Sequence, residues 1–195
     1  MELSPRLYNW FVRPQWFSRL YIHNILKDKF DFKNKTVLDF GCGVGTNCSL
    51  FASCNYIGID CNPKRVQYAK YHYPDYTFKV TKGHTIPLQE NSIDYVLIIS
   101  VLHHIPTGEI GLYLEEFKRV LKPYGRVLVI EPCFFDKCHI SNHFMKLFDR
   151  GKYIQSETGY LKQFQNCHYA TQVYGRKRQL CFYNKLFLSA TLNKG

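Results

Sequence analysis

The stretch Val37-Leu38-Asp39-Phe40-Gly41-Cys42-Gly43-Val44-Gly45-Thr46-Asn47 constrains the fold of this chain more than any other. A short apolar run carrying an acid passes into glycines at alternate positions. The run reads as a buried strand, and the glycines read as a tight turn where a second backbone or a ligand comes close. A helix is expected to follow, from near Val44 to Ser53. Dinucleotide-binding turns follow G-x-G-x-x-G, whose third glycine lies three places after the second. Here it lies two places after, and the strand ends in Asp39. A carboxylate at the turn repels a pyrophosphate and attracts a cationic ligand.

The same alternation of strand and helix continues along the chain. The first strand is expected at about Thr36 to Phe40, and the second, Tyr56-Ile57-Gly58-Ile59-Asp60, also ends in an acid. Asn62 then reads as a helix cap, with Pro63 at the first helical position and the helix reaching about His72. Further strands are expected at about Tyr76 to Val80, Asp94 to Ser100 and Arg126 to Ile130. An amphipathic helix from Glu109 to Leu121 precedes the last of these and stops at Lys122-Pro123-Tyr124-Gly125. Gln15 to Lys27 places apolar residues at helical spacing, Cys133 to Asn166 reads as helical in pieces, and Cys167 to Leu192 reads as a closing hairpin around Gly175-Arg176-Lys177-Arg178. Asp39 and Asp60, one helix and one strand apart, are expected on neighbouring strand ends, facing the crevice where such sheets bind ligands. Asp60 there has the acceptors to take hydrogen bonds from both hydroxyls of a ribose.

A chain of 195 residues with 46% hydrophobic and 16% aromatic residues is enough for one well-buried domain. No apolar run approaches the ~18 residues of a membrane span, and the N-terminal stretch lacks a signal-peptide pattern. A soluble, cytoplasmic protein is therefore expected. The eight cysteines form no Cys-x-x-Cys pair, and the grouping Cys133, Cys138, His139, His143 fits no zinc spacing. Reduced cysteines and no metal are the expectation.

These residues resemble a family, the class I S-adenosylmethionine-dependent methyltransferases, particularly the small single-domain, type 11-like members. Asp39, Gly41, Gly43 and Gly45 match its Asp/Glu-x-Gly-x-Gly-x-Gly cofactor motif. Ile86-Pro87-Leu88, Ile93-Asp94-Tyr95-Val96, Val101-Leu102-His103-His104 and Leu121-Lys122-Pro123-Tyr124-Gly125 are similar to later family segments. The resemblance implies an α/β three-layer sandwich. Its seven-stranded, mostly parallel, doubly wound sheet has the order 3-2-1-4-5-7-6 and an antiparallel last strand. It also implies a single domain: helical cover 1–34, cofactor-binding core 35–131, substrate-pocket insertion 132–166 and closing hairpin 167–195. The implied cofactor is S-adenosyl-L-methionine, held by Asp39, Gly41, Cys42, Gly43, Gly45, Asp60, Cys61, Gly83, His84 and Ser100. One departure stands out. Where the family carries an acid that holds the adenine, this chain has Lys82 or Gly83, and an ammonium cannot accept a hydrogen bond. Backbone groups of Gly83 and His84 are the substitutes.

His103 and His104 leave the fourth strand at the rim where cofactor and substrate meet, and imidazole titrates near neutral pH, so both are candidate general bases. The formal net charge of +11 favours anionic partners. Arg150 and Lys152 in the insertion, with Arg176, Lys177 and Arg178 at the hairpin, are the candidate acceptor-binding cations. The expected acceptor is an anionic small molecule or lipid-like compound, with nucleic acid less favoured because no RNA-binding motif is present. Three alternatives stay open: a cofactor-binding partner subunit without its own activity, an RNA methyltransferase, and a nucleotide-dependent oxidoreductase.

Overall fold

The computed structural model describes residues 15–136, 138–149, 151–179 and 183–193. The expectation for residues 1–14 lies outside them. Eight strands form the sheet: β1 Val37–Phe40, β2 Tyr56–Asp60, β3 Thr77–Val80, β4 Ile93–Ile99, β5 Leu121–Phe134, β6 Gln155–Ser156, β7 Tyr169–Gln179 and β8 Tyr183–Leu192. The helices are α1 Gln15–Lys29, α2 Pro63–His72, α3 Ile110–Val120, α4 His139–Phe148 and α5 Glu157–Asn166. Sheet order is β3-β2-β1-β4-β5-β8-β7, with β6 beside β5. The expected order therefore holds, with one two-residue strand more than the expected seven. β1 to β5 are mutually parallel, and β8 runs antiparallel to both β5 and β7.

Period-two alternation builds two cores. Leu38, Phe40, Val96, Ile98, Val127 and Val129 face one side, under Ile110, Leu114, Phe117 and Val120 of α3 and Tyr160 and Phe164 of α5. Val37, Leu97, Ile99, Leu128 and Ile130 face the other, under Ile22 and Leu26 of α1 and Val66 and Ala69 of α2. On α3 the spacing 110, 114, 117 puts one apolar stripe on the sheet, and all three side chains are fully buried. At α2 the Asn62 side chain accepts from the N–H groups of Lys64 (3.0 Å) and Arg65 (3.3 Å), with proline at the first turn as the sequence indicated.

Two elements differ from expectation. No α-helix follows the glycine turn; residues 48–50 and 53–55 form short 3-10 turns instead. Gly43 and Gly45 have φ of +57° and +80°, which a right-handed helix cannot accommodate, and β2 begins before a stable helix has room to propagate. Likewise, Gly175 to Arg178 are not the hairpin loop but part of β7, paired with β8 past a register shift between Val173 and Gly175. The hairpin still closes at the C-terminal edge of the parallel strands, because Lys177 lies opposite Lys185, which in turn pairs with Pro132 of β5. Among the described residues, no helix is long and apolar enough to cross a membrane.

Candidate cofactor and acceptor site

The chain leaves β1 toward β2 on one side and returns to β4 on the other, so the crevice between β1 and β4 is a topological switch point. The glycine turn sits at its mouth and is tied to β2. Gly41 and Cys42 donate their N–H groups to the Ile59 carbonyl at 2.8 and 2.9 Å. The Asp60 carboxylate accepts from the Gly43 N–H at 2.9 Å through one oxygen and from the Asn62 N–H at 2.8 Å through the other. Val101 covers the turn so closely that a Cβ on Gly41 would lie 2.5 Å from its side chain. A Cβ on Gly43, by contrast, would meet nothing within 4 Å. The backbone at Gly43 is thus presented bare, with a buried carboxylate beside it: a cradle suited to a ribose and to a ligand lying flat on the chain.

Asp39 is buried behind the turn. It accepts a hydrogen bond from the Tyr56 hydroxyl at 2.7 Å. Burial raises its carboxyl pKa to about 6, against the lowering effect of bonds from Tyr56 and Asn47. A cationic ligand nearby would offset that desolvation. Cys42, beside it, is pushed far up by burial and then by Asp39, so its thiol acts as packing. Cys61 is exposed just past Asp60. Ser100 leaves β4 with φ +56°, an uncommon conformation for a non-glycine residue. Its N–H bonds the Ile130 carbonyl at 2.9 Å. Gly83, also at positive φ, and His84 follow β3 on the same edge.

The two histidines part company. His103 is buried, its Nδ1 2.7 Å from Glu131 Oε2 and its Nε2 3.5 Å from Asp149 Oδ1. The ring of His103, a candidate base in sequence, thus sits between two carboxylates, and its carbonyl accepts the Tyr153 N–H at 3.0 Å. Glu131, fully buried at the level where β5 meets the crevice, accepts further bonds from the N–H groups of Val101 (2.6 Å) and Leu102 (3.0 Å). Gly151 packs so tightly that a Cβ there would overlap the His103 ring. His104 lies against His103 with ring centroids 4.1 Å apart. Partial burial, and then His103, lower its pKa. It opens on a cleft of about 340 Å³ lined with Pro106, Lys152 and Tyr153.

Of the candidate acceptor-binding cations, Lys152 is in that cleft. Arg176 is committed to a two-pronged ion pair with Glu157 at the start of α5. Lys177 lies within β7, Arg178 is placed there by its backbone, and Arg150 lies outside the described residues. Sequence reasoning assigned no role to Glu131, Asp149 or Tyr56. Glu131 had the same signal as Asp39 and Asp60, an acid toward the C-terminal end of an apolar strand.

A crevice at the β1/β4 switch point, a glycine cradle and an acid ending β2 define the class as a Rossmann-like methyltransferase fold. Residues 38–129 match the family model described as a methyltransferase domain. The chain is 38% identical over 119 residues to the sterol 24-C-methyltransferase of Kluyveromyces lactis, a match covering 56% of this chain and 32% of that protein. It is 31% identical over 111 residues to a probable phthiotriol/phenolphthiotriol dimycocerosates methyltransferase of Mycobacterium ulcerans, covering 53% of this chain and 42% of that one. The chain thus spans less than half the length of these relatives. In fold it resembles the magnesium protoporphyrin IX methyltransferase of Synechocystis, solved with bound S-adenosylhomocysteine. The TM-score is 0.71 at 17% identity, covering 98% of this chain and 89% of that one.

Proposed function

We propose that the protein is an S-adenosyl-L-methionine-dependent methyltransferase whose acceptor is a lipid-like or small anionic molecule. The observation that carries this is the cradle: a bare Gly43 backbone clamped to the Asp60 carboxylate at the mouth of the β1/β4 crevice. Asp60 and the turn would hold the adenosine ribose, with Cys61, Gly83, His84 and Ser100 around it. The Asp39 carboxyl, behind the turn, favours the ligand's positive charge. The bound cofactor supplies an activated methyl group on a sulfonium with a good leaving group. The protein's own task is then to align the acceptor and exclude water.

Acceptor entry is assigned to the cleft of His104, Pro106, Lys152 and Tyr153. Lys152 suits a phosphate or carboxylate, and the tyrosine and proline suit an apolar body. The relatives named for sterols and phthiotriols support a lipid-like acceptor, and the net charge of +11 supports an anionic one. His104, neutral at physiological pH because its pKa is lowered, is the base nearest that cleft for an acceptor that bears a proton.

The test is radiolabelled methyl transfer from S-adenosylmethionine to lipid extract, to RNA and to a small-acid pool. Label is expected in the lipid or acid fraction. Label confined to RNA would refute the acceptor class, and cofactor binding without transfer to any fraction would mark a binding subunit. With the true acceptor in hand, His104→Ala should lower kcat by about 10²-fold if the acceptor bears a proton, with S-adenosylhomocysteine affinity unchanged in calorimetry. Undiminished turnover would show that alignment suffices.

A further inference from the structure

The adenine side of the cradle lacks its expected acid, and the structure offers another. Thr81, the first residue after β3, donates its N–H to the Asp60 carbonyl at 3.1 Å. From there the segment turns across α3 rather than forming a helix. Glu116 accepts the Ile86 N–H at 2.8 Å, and Arg119 donates to the carbonyls of Ile86 and Leu88 at 2.8 and 2.9 Å. This crossing carries His84 onto the N-terminal end of α3. Its Nε2 lies 3.3 Å from Glu109 Oε2, and its ring meets Tyr113 edge-on at 4.8 Å. Tyr113 packs in turn on Phe40 at the end of β1, with ring centroids 5.2 Å apart. Glu109, His84 and Tyr113 therefore form one cluster at the start of α3, joined to the end of β1 through Phe40 and to the segment that follows β3 through His84.

The carboxylates at this edge differ in what they have left to give. Asp39 is buried on Tyr56, Glu131 is filled by the His103 ring and three backbone N–H groups, and Glu116 is held by Ile86 and Arg119. Asp60 takes Gly43 and Asn62 and faces the cradle. Glu109 is half exposed and, among the described residues, its carboxylate makes a hydrogen bond to His84 through Oε2. Oε1 is left for a ligand.

Resting on the cofactor reading above, we infer that Glu109, braced by His84, accepts the exocyclic amino group of the cofactor's adenine in place of the acid that Lys82 displaces. A 6-amino group donates to a carboxylate, whereas the 6-oxo group of hypoxanthine presents an acceptor to it and is repelled. Glu109 is thus a base-specificity residue supplied by α3 instead of by the loop after β3.

The experiment is calorimetric titration of the whole chain with S-adenosylhomocysteine and S-inosylhomocysteine. The unmodified protein should prefer the adenosyl compound by at least about tenfold, the scale of one hydrogen bond to a charged group. Glu109→Gln, whose amide donates to a 6-oxo group, should compress that ratio to about threefold or less. Adding Lys82→Asp to this variant should restore the preference. Glu109 provides no side-chain cap to α3, so equal thermal midpoints are expected and serve as the folding control. An unchanged ratio in Glu109→Gln overturns the proposal, as does equal binding of both compounds by the unmodified protein. Binding of neither compound overturns the cofactor reading itself, a different result.

Discussion

Replacing Glu131 with alanine is expected to destabilise the protein by about 3–5 kcal/mol, the scale of removing one partner from a buried charged pair. Four groups lose their acceptor at once: the His103 ring and the N–H groups of Val101, Leu102 and His103. All are shielded from water, and each unpaired donor carries its own desolvation cost. The damage should not stay local. His103 is the post to which Asp149 and Tyr153 fasten the insertion, and Val101 covers the glycine turn. Denaturant unfolding should therefore show a large fall in midpoint, and hydrogen exchange should show early opening of residues 149–153 and of the segment after β4. Glu131→Gln, which retains one acceptor, should fall between alanine and the unmodified protein. A loss below about 1 kcal/mol for Glu131→Ala would mean that water reaches the site and replaces the carboxylate.

Asp60→Ala is expected to weaken S-adenosylhomocysteine binding by about 10²–10⁴-fold. That corresponds to two charge-assisted hydrogen bonds from the ribose hydroxyls, at about 1.5–3 kcal/mol each. The same carboxylate holds the Gly43 and Asn62 N–H groups, so the turn itself should also loosen. Asp60→Asn separates the two effects. Its single carbonyl oxygen can hold one of the backbone donors, and its amide meets the other with the wrong polarity. Calorimetry on both variants, with thermal unfolding in parallel, divides ligand loss from turn loss. Normal affinity in Asp60→Ala would remove this residue from the ligand's surroundings.

The sequence by itself determined the parallel core and the edge at which chemistry is placed. Glycines at 41, 43 and 45 adopt positive φ, Asp60 ends β2 beside the turn they make, and Asn62-Pro63 starts a helix by purely local bonding. These signals act over a few residues and so survive without knowledge of the fold. The helix expected after Gly45 failed for an equally local reason: the glycine conformations that make the turn deny a helix its first residues. Tertiary structure decided the rest. His103 and His104 are adjacent and alike in sequence, yet Glu131, 28 positions away, draws one into the interior and leaves the other on the cleft. Arg176 read as a free cation until β7 brought it to Glu157. Glu109 read as the start of a helix until the segment after β3 crossed it with His84. Spacing along the chain reports which face a side chain occupies. Which charge it meets there depends on strand pairing and segment crossings, set by burial of the whole core rather than by any short run of residues.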